Sequence, residues 1–531
     1  MHRVPKRKAP PHDPPETRVI TPSGRRPDVL VVGAGGSGAV LAARLSEDAG
    51  CEVLLAEAGP APRALPDFPA GLLDARLVPG AQPGHAAVRT FPALLTPGLP
   101  YAAARGRFLG GSTAVNGGYF VRARRADFDR WSAHGDIWSY DRVLPVMRAL
   151  ETDLDLGATA LHGGDGPIPV QRTDLGHPAA AAFQAAARSL GYSDDPDKND
   201  QGRPGFGPVP TNTAGGRRIN TGVAYLLGEA AQRPNLTVLG ECVVRSIVIS
   251  RGRATGVVVE RGGRRTVLDA GEIILCAGSL SSPHLLHLSG VGPADDLARH
   301  GIAVVHDLPA VGAALSDHPQ TVVEWTPRRP MPVPSGGWLG GVLHLPSSSG
   351  GDAAGDLEIL QSLVPTMGLV GGEAAAPGAP LPFLVSVQTP RTSGGLRTVS
   401  ADPDVPPRIA YGYLDTGADR RRMREAVRAA AAVVATGAFG EVREGLADPE
   451  PGLLDDDGLL DAWIRARLGT SQHTCGTVPM GGAVDGHGRV HGLEGLRVAD
   501  TSILPTAPLR GPAATAVLIG EVIAGAVRRG G

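Results

Sequence analysis

The chain has 531 residues, enough for more than one domain, and its 51 basic against 53 acidic side chains give no electrostatic reason to expect nucleic acid or an anionic membrane as partner. Glycine (74) and proline (48) are in excess without a Gly-X-Y period, which excludes collagen and predicts a loop-rich fold, while four cysteines are too few for a disulfide framework. Residues 1–26 are basic and Pro-rich with no apolar core segment. They read as a disordered tail and not as a secretory signal. The longest late apolar stretch, Ala513 to Val527, is interrupted by Glu521 and is too short to span a bilayer, so a cytoplasmic protein is expected.

In chain order, Val29–Val32 is an apolar, β-branched run of the kind found in buried parallel strands. A helix is expected over Ala39–Leu45 and a second strand over Cys51–Glu57, making a βαβ unit. Residues 60–100 are expected to be mostly extended, and Asp127–Glu151 helical. Strands follow at Thr237–Leu239, Val243–Ser250, Thr255–Glu260 and Glu272–Cys276, then a helix over Ser282–Leu288. The Gly/Pro-broken stretch 320–400 reads as mostly β, Arg420–Ala435 as a helix, Leu496–Ala499 as a strand and Ala513–Arg528 as a long helix. Cys51, Cys242 and Cys276 lie in or beside apolar runs and are expected to be packed thiols.

The turn Gly33-Ala-Gly35-Gly-Ser37-Gly38 is G-x-G-x-x-G between strand and helix. Its glycines suit a tight turn, close approach to a pyrophosphate and close helix–strand packing, with the helix N-terminus facing the phosphates. Glu57 follows Gly38 by 19 residues, at the end of the next strand, about the spacing at which an acid binds a ribose. This motif alone leaves NAD and FAD both open.

Further along, Arg105-Gly-Arg-Phe-Leu-Gly110-Gly111-Ser112-Thr-Ala-Val-Asn116-Gly117 resembles a signature of the glucose–methanol–choline (GMC) family of FAD oxidoreductases. Matching segments continue in order: Asp127–Trp131, Trp138–Pro145, Arg233–Val238, Ala277–Leu286 with Ser289–Pro293, Asp317-His318, Ser400–Pro403, His473–Gly481 and Leu496–Asp500. Gly117–Phe120, Leu161–Val170, Ser471–Met480 and Arg510–Thr515 further resemble the mycofactocin-associated branch.

The resemblance implies an α/β (α+β overall) fold. A Rossmann-like FAD-binding domain (27–172, 236–318 and 471–531) would carry an inserted, mostly antiparallel-sheet substrate domain (173–235 and 319–470). It implies FAD contacts from Gly33, Gly35, Ser37, Gly38, Glu57 and Ala58; from Arg105, Gly110, Gly111, Ser112, Asn116 and Gly117; from Val243 and Ala277; and from Asp500, Pro512 and Ala513. Val115 occupies the position of the family's FAD-linking histidine, so non-covalent FAD is implied. The implied activity is oxidation of an alcohol, with mycofactocinol as substrate and a respiratory-chain electron acceptor, in the cytoplasm or peripheral to the inner face of the cell membrane.

Oxidising an alcohol removes a proton from oxygen and a hydride from carbon. His473 matches the family's active-site histidine, the expected base. The family's second histidine or asparagine, counted three residues before Thr515, falls on Pro512, which has no side-chain donor or acceptor. Arg510 nearby is either an electrostatic partner of alkoxide or reduced flavin, or an exposed loop charge. The start of the final helix is expected to place its positive dipole end at the flavin. Asp500 either approaches the cofactor or caps the following turn. Cys475 has no C-x-x-C partner and reads as packed. His487 and His491 lack accompanying ligands, so no metal is expected. Two other readings stay open: an oxygen-using alcohol oxidase, and a hydroxynitrile-lyase-type protein with structural FAD.

Overall fold

The computed structural model describes residues 25–348, 353–371, 376–391 and 394–530. The tail expected at residues 1–26 lies, but for its last two positions, outside the described residues.

Val29–Val32 is buried at every position and forms the middle of a five-stranded parallel sheet. The strand order is Leu236–Leu239, Val53–Ala56, Val29–Val32, Glu272–Leu275, Leu496–Val498. Val29 lies opposite both Val53 and Glu272. Strands buried on both faces need cover on both. Part of it comes from the helix Gly38–Leu45, which packs against the final helix Ala513–Arg528. Gly520 permits this contact, since a Cβ there would sit 2.6 Å from the Ser37 carbonyl. The first and last helices of the chain thereby meet beside the glycine-rich turn.

A seven-stranded antiparallel sheet forms the second layer. Its main order is Arg443–Asp448, Pro319–Pro327, Leu381–Val387, Leu357–Ser362, Leu339–Leu345, Phe206–Pro208. Alternate residues, among them Val323, Trp325, Phe383, Val385, Ile359 and Leu343, face one core with the helices Pro178–Ser189, Gly417–Ala435 and Asp457–Ala466. The other face meets the glycine signature. The Trp338 indole donates to the Gly117 carbonyl at 2.9 Å, and Gln320 Nε2 donates to Ser471 Oγ at 3.2 Å.

Three expectations need correction. The stretch 60–100 is not merely extended: Val88–Thr96 and Leu99–Gly106 form an antiparallel hairpin that turns at Pro97-Gly98, with Gly98 at φ 79°. The helix expected over Asp127–Glu151 is two helices, Arg125–Ser132 and Tyr140–Ala149. Between them the chain turns through Gly135, held by the Trp138 indole donating to the Gly486 carbonyl at 2.7 Å. The region 320–400 is mostly β but also holds a short helix, Thr366–Gly371.

Candidate active site

The glycine turn and the signature glycines stack directly. A Cβ on Gly111 would come within 2.6 Å of the Gly35 Cα, and one on Gly38 within 1.9 Å of the Gly33 carbonyl oxygen. Only bare backbone fits this layer. Glu57 is buried beside it, accepting from the Ala34 N–H at 2.9 Å and the Gly59 N–H at 2.8 Å. Burial raises its pKa against those hydrogen bonds. Ser37 donates to the Ala516 carbonyl, tying the turn to the final helix. The segment 220–226, assigned by sequence to the substrate region, packs onto this layer instead: Thr221 Oγ1 donates to the Gly35 carbonyl, and Asn220 lies against Gly110. Asn220 Nδ2 and Thr515 Oγ1 are buried without a protein partner. A strand–glycine turn–helix with an acid at the next strand end, bare backbone and unsatisfied buried polar atoms fits a dinucleotide.

Other predicted residues have different surroundings. Ser112 Oγ accepts from the Gly106 N–H, and Asn116 Oδ1 from the Gly118 N–H, so both shape the signature loop. Val243 starts a strand opposite Glu260, and Ala277 follows the strand Glu272–Leu275. Asp500 is buried and caps the turn after it, accepting from the Ser502 N–H, while also accepting from the Gly278 N–H at 2.9 Å and from the Ser282 hydroxyl. Pro512 precedes the final helix, which begins at Ala513.

Arg105 reaches the loop that carries His473. Its guanidinium donates to Gln472 Oε1 at 3.1 Å and to the Thr474 hydroxyl. Asp317 fixes the same loop from the other side: its carboxylate accepts from the backbone N–H groups of His318 and His473 and from the Thr474 hydroxyl. Gln472, next to His473, has φ 61°, the strained left-handed region for a non-glycine residue.

These braces bring together two imidazoles 155 residues apart in sequence. His318 Nδ1 and His473 Nδ1 are 2.9 Å apart, with the rings crossing at 84°. His318 is fully buried, and burial pushes its pKa down to about 3. His473 is partly accessible, and its pKa is also held well below the ordinary value, first by burial, then by His318 and Arg105. Both rings are therefore neutral at neutral pH.

The residue facing His473 from the start of the final helix is Gly511, not Pro512: a Cβ at Gly511 would lie 3.2 Å from His473 Nε2. Arg510 is not an exposed loop charge. It is 1% exposed, and its guanidinium donates to the carbonyls of Ala354, Gly355 and Leu509. Cys475 is buried, its thiol donates to the His473 carbonyl at 3.1 Å, and burial pushes its pKa up, so it is not a reactive thiolate.

Among the described residues, the group with metal-ligand spacing is Glu151, Asp153 and His162, not His487 and His491. Its charges are already paired. His162 contacts Glu151 (2.9 Å), Asp153 (3.0 Å) and Asp197 (2.8 Å), while Arg122 pairs with Glu151 and Arg172 with Asp153 and Asp197. The three carboxyl hydrogen bonds outweigh burial and lift the His162 pKa to about 10, so three cations face three carboxylates.

The family described as GMC oxidoreductase matches residues 28–320 with its N-terminal part and 390–520 with its C-terminal part. An uncharacterised GMC-type oxidoreductase of Rhodococcus erythropolis is 40% identical, covering 93% of this chain and 97% of the relative. The oxygen-dependent choline dehydrogenase 1 of Chromohalobacter salexigens is 33% identical, with 95% of both chains covered. Among solved structures, pyridoxine 4-oxidase from Mesorbium loti superposes with a TM-score of 0.87 at 28% identity, covering 95% of this chain and 99% of that one. Among the described residues, no helix is long and apolar enough to cross a membrane.

Proposed function

The chain belongs to the GMC oxidoreductase family, and from that premise we propose that it is an FAD-dependent alcohol dehydrogenase in which His473 takes the hydroxyl proton. FAD is held non-covalently, and when bound it supplies the acceptor for the hydride. The layer around Gly33, Gly35, Gly38 and Gly111, with Glu57 at its edge, receives the adenosine and pyrophosphate portion. The N-terminus of the final helix after Pro512 favours negative charge near its first turn.

The observation that carries the reading is the His473–His318 pair. Two Nδ1 atoms at hydrogen-bond distance need one proton between them. We take His473 Nδ1 as the donor and His318 Nδ1 as the acceptor, the arrangement that leaves His473 Nε2 free to accept a proton. His473 Nε2 then carries the lone pair and lies on the side facing Gly511. A neutral, oriented imidazole at this place accepts the proton of the alcohol. His318 is a positioning residue: it fixes the tautomer and ring plane and does not itself touch substrate. Asp317 and Arg105 hold both loops, so the pair is set before substrate arrives.

The substrate proposed from the branch resemblance is mycofactocinol, oxidised to mycofactocinone, with electrons passed to a respiratory-chain acceptor. Anaerobic stopped-flow mixing of the flavoprotein with mycofactocinol and with a panel of simple alcohols tests this. Mycofactocinol is expected to bleach the flavin fastest, and bleaching by simple alcohols alone removes the substrate assignment. The likeness to pyridoxine 4-oxidase favours a second reading, an alcohol oxidase. Fast reoxidation of the reduced flavin by oxygen supports that reading, and slow reoxidation supports the dehydrogenase.

A further inference from the structure

The face of the seven-stranded sheet turned toward the active site carries a polar row. The register places Gln320 opposite Ser386, Ser386 opposite Glu358, and Glu358 opposite His344, so four adjacent strands each contribute one polar side chain to a single line. Two residues on, the equivalent row is apolar throughout: Val322, Leu384, Leu360 and Val342. Ser386, Glu358 and His344 are at most 3% exposed. Burying such a row costs free energy unless its atoms are paired.

Most of them are. His344 Nε2 meets Glu358 Oε2 at 2.9 Å. Ser386 donates to Glu358 Oε1 at 3.4 Å and accepts from Gln388 Nε2 at 2.6 Å. Two atoms are left over. Gln388 Oε1 and His344 Nδ1 are buried with no partner, and both residues are 1% exposed.

Their chemistry follows from the bonds already made. The single Ser386 proton goes to Glu358, so Gln388 approaches Ser386 with its NH2 and leaves its carbonyl oxygen free. His344 gives its Nε2 proton to the carboxylate and leaves a lone pair on Nδ1. Burial and the nearby cations hold His344 in the neutral form. Both orphans are acceptors. The row also borders the reacting centre: His318 lies two residues before Gln320 in the chain and pairs with His473, and Gln320 donates to Ser471. Arg510, whose neighbour Gly511 faces His473, is the main charge beside Glu358.

We infer that Gln388 and His344, held by Ser386 and Glu358, form a specificity subsite that receives a second hydrogen-bond donor of the substrate, a hydroxyl or N–H group carried apart from the reacting alcohol. The subsite rests on the alcohol-oxidising role of the neighbouring His473. It selects diols, polyols and amino or amide alcohols over monofunctional alcohols, because each added donor can pair one of the two buried acceptors that a monofunctional substrate leaves unpaired. Burial raises the Glu358 pKa while Arg510 and Lys198 lower it, so two cations already face this carboxylate and the preferred donor is a neutral group and not a further fixed cation.

The test uses the FAD-loaded enzyme and matched pairs: 1-pentanol against the pentanediols, and benzyl alcohol against hydroxybenzyl and aminobenzyl alcohols. The expected result is a higher kcat/KM for at least one bifunctional member. Its ratio to the monofunctional partner should fall roughly 10-fold or more in Gln388→Met and again in His344→Phe. Ratios near one in the wild type, or ratios unchanged in both substituted proteins, overturn the subsite. Calorimetric binding of the same pairs gives a readout without turnover. A binding preference that Gln388→Met abolishes upholds the subsite even where no alcohol reduces the flavin, and that second result alone removes the alcohol-oxidising role. Should Gln388→Met fail to fold, His344→Phe carries the same comparison.

Discussion

Replacing His318 by phenylalanine keeps a planar ring in a fully buried place and removes the hydrogen-bond partner of His473. In the native pair the Nδ1 atoms are 2.9 Å apart, and the contact sets both the tautomer and the ring plane. A buried imidazole N–H left without its partner costs about 1–3 kcal/mol. At about 1.4 kcal/mol per tenfold change in rate, flavin reduction should slow by roughly 5–150-fold. A merely structural role for His318 would not predict the second effect. His318 is one of the groups that depress the His473 pKa, after burial and before Arg105. His473 acts in its neutral form, so the rate is lost as pH falls through its pKa. Removing His318 raises that pKa and moves the acid limb of the rate profile to higher pH. Anaerobic stopped-flow flavin reduction across pH, with the best alcohol of the panel, measures both effects. His318→Gln, which keeps a polar partner, should recover part of the rate. A His318→Phe protein with full FAD, native reduction rate and an unmoved acid limb would refute the positioning argument.

Glu57→Ala removes the acceptor shared by the Ala34 and Gly59 N–H groups. The purified protein should hold less FAD per chain than the native one, read from the absorbance ratio after gel filtration, and full retention would contradict the cofactor placement. Gly38→Ala would put a Cβ 1.9 Å from the Gly33 carbonyl oxygen; insoluble or FAD-free protein is expected, and normal FAD content would show that the turn has room to spare. His162→Gln breaks the paired cluster with Glu151, Asp153 and Asp197. Because the His162 pKa rises from 6.5 to about 10, its stabilisation is complete below pH 6.5 and fades as pH climbs through about 10. The loss of Tm should therefore be largest in the acidic-to-neutral range and shrink toward pH 10, and an equal loss at both ends would show that His162 is not charged.

The front of the nucleotide sheet was readable because its signals are local. Val29–Val32 is uniformly apolar, the glycines follow at once, and Glu57 closes the unit 19 residues past Gly38. The hairpin 88–106 was hidden because Pro92, Pro97 and Pro100 break the alternation that marks a strand, although register with a partner tolerates them. The helix Pro178–Ser189 is an alanine-rich stretch with a weak apolar contrast, and only its cap at His177 and the proline after it announce a start.

In the site, motif matching located His473 and the glycine layer but not their partners. His318 stood inside a matched dipeptide with no role attached, and its pairing with His473 is a tertiary contact that no local pattern encodes. Counting residues back from Thr515 put the missing partner on Pro512, one position from the glycine whose Cα faces the imidazole. The sequence leaves Arg510 between an electrostatic partner and an exposed loop charge because its acceptors are main-chain carbonyls of a distant segment. The polar row on the sheet was visible only as isolated polar residues in apolar strands until register aligned them.

The central claim is that His473 takes the alcohol proton during reduction of FAD. The most direct measurement is the rate of anaerobic flavin reduction in His473→Ala against the native enzyme, with FAD content determined for both. The variant should retain FAD and reduce it roughly 10²–10⁴-fold more slowly. A variant that is fully loaded and reduced at the native rate would contradict the account.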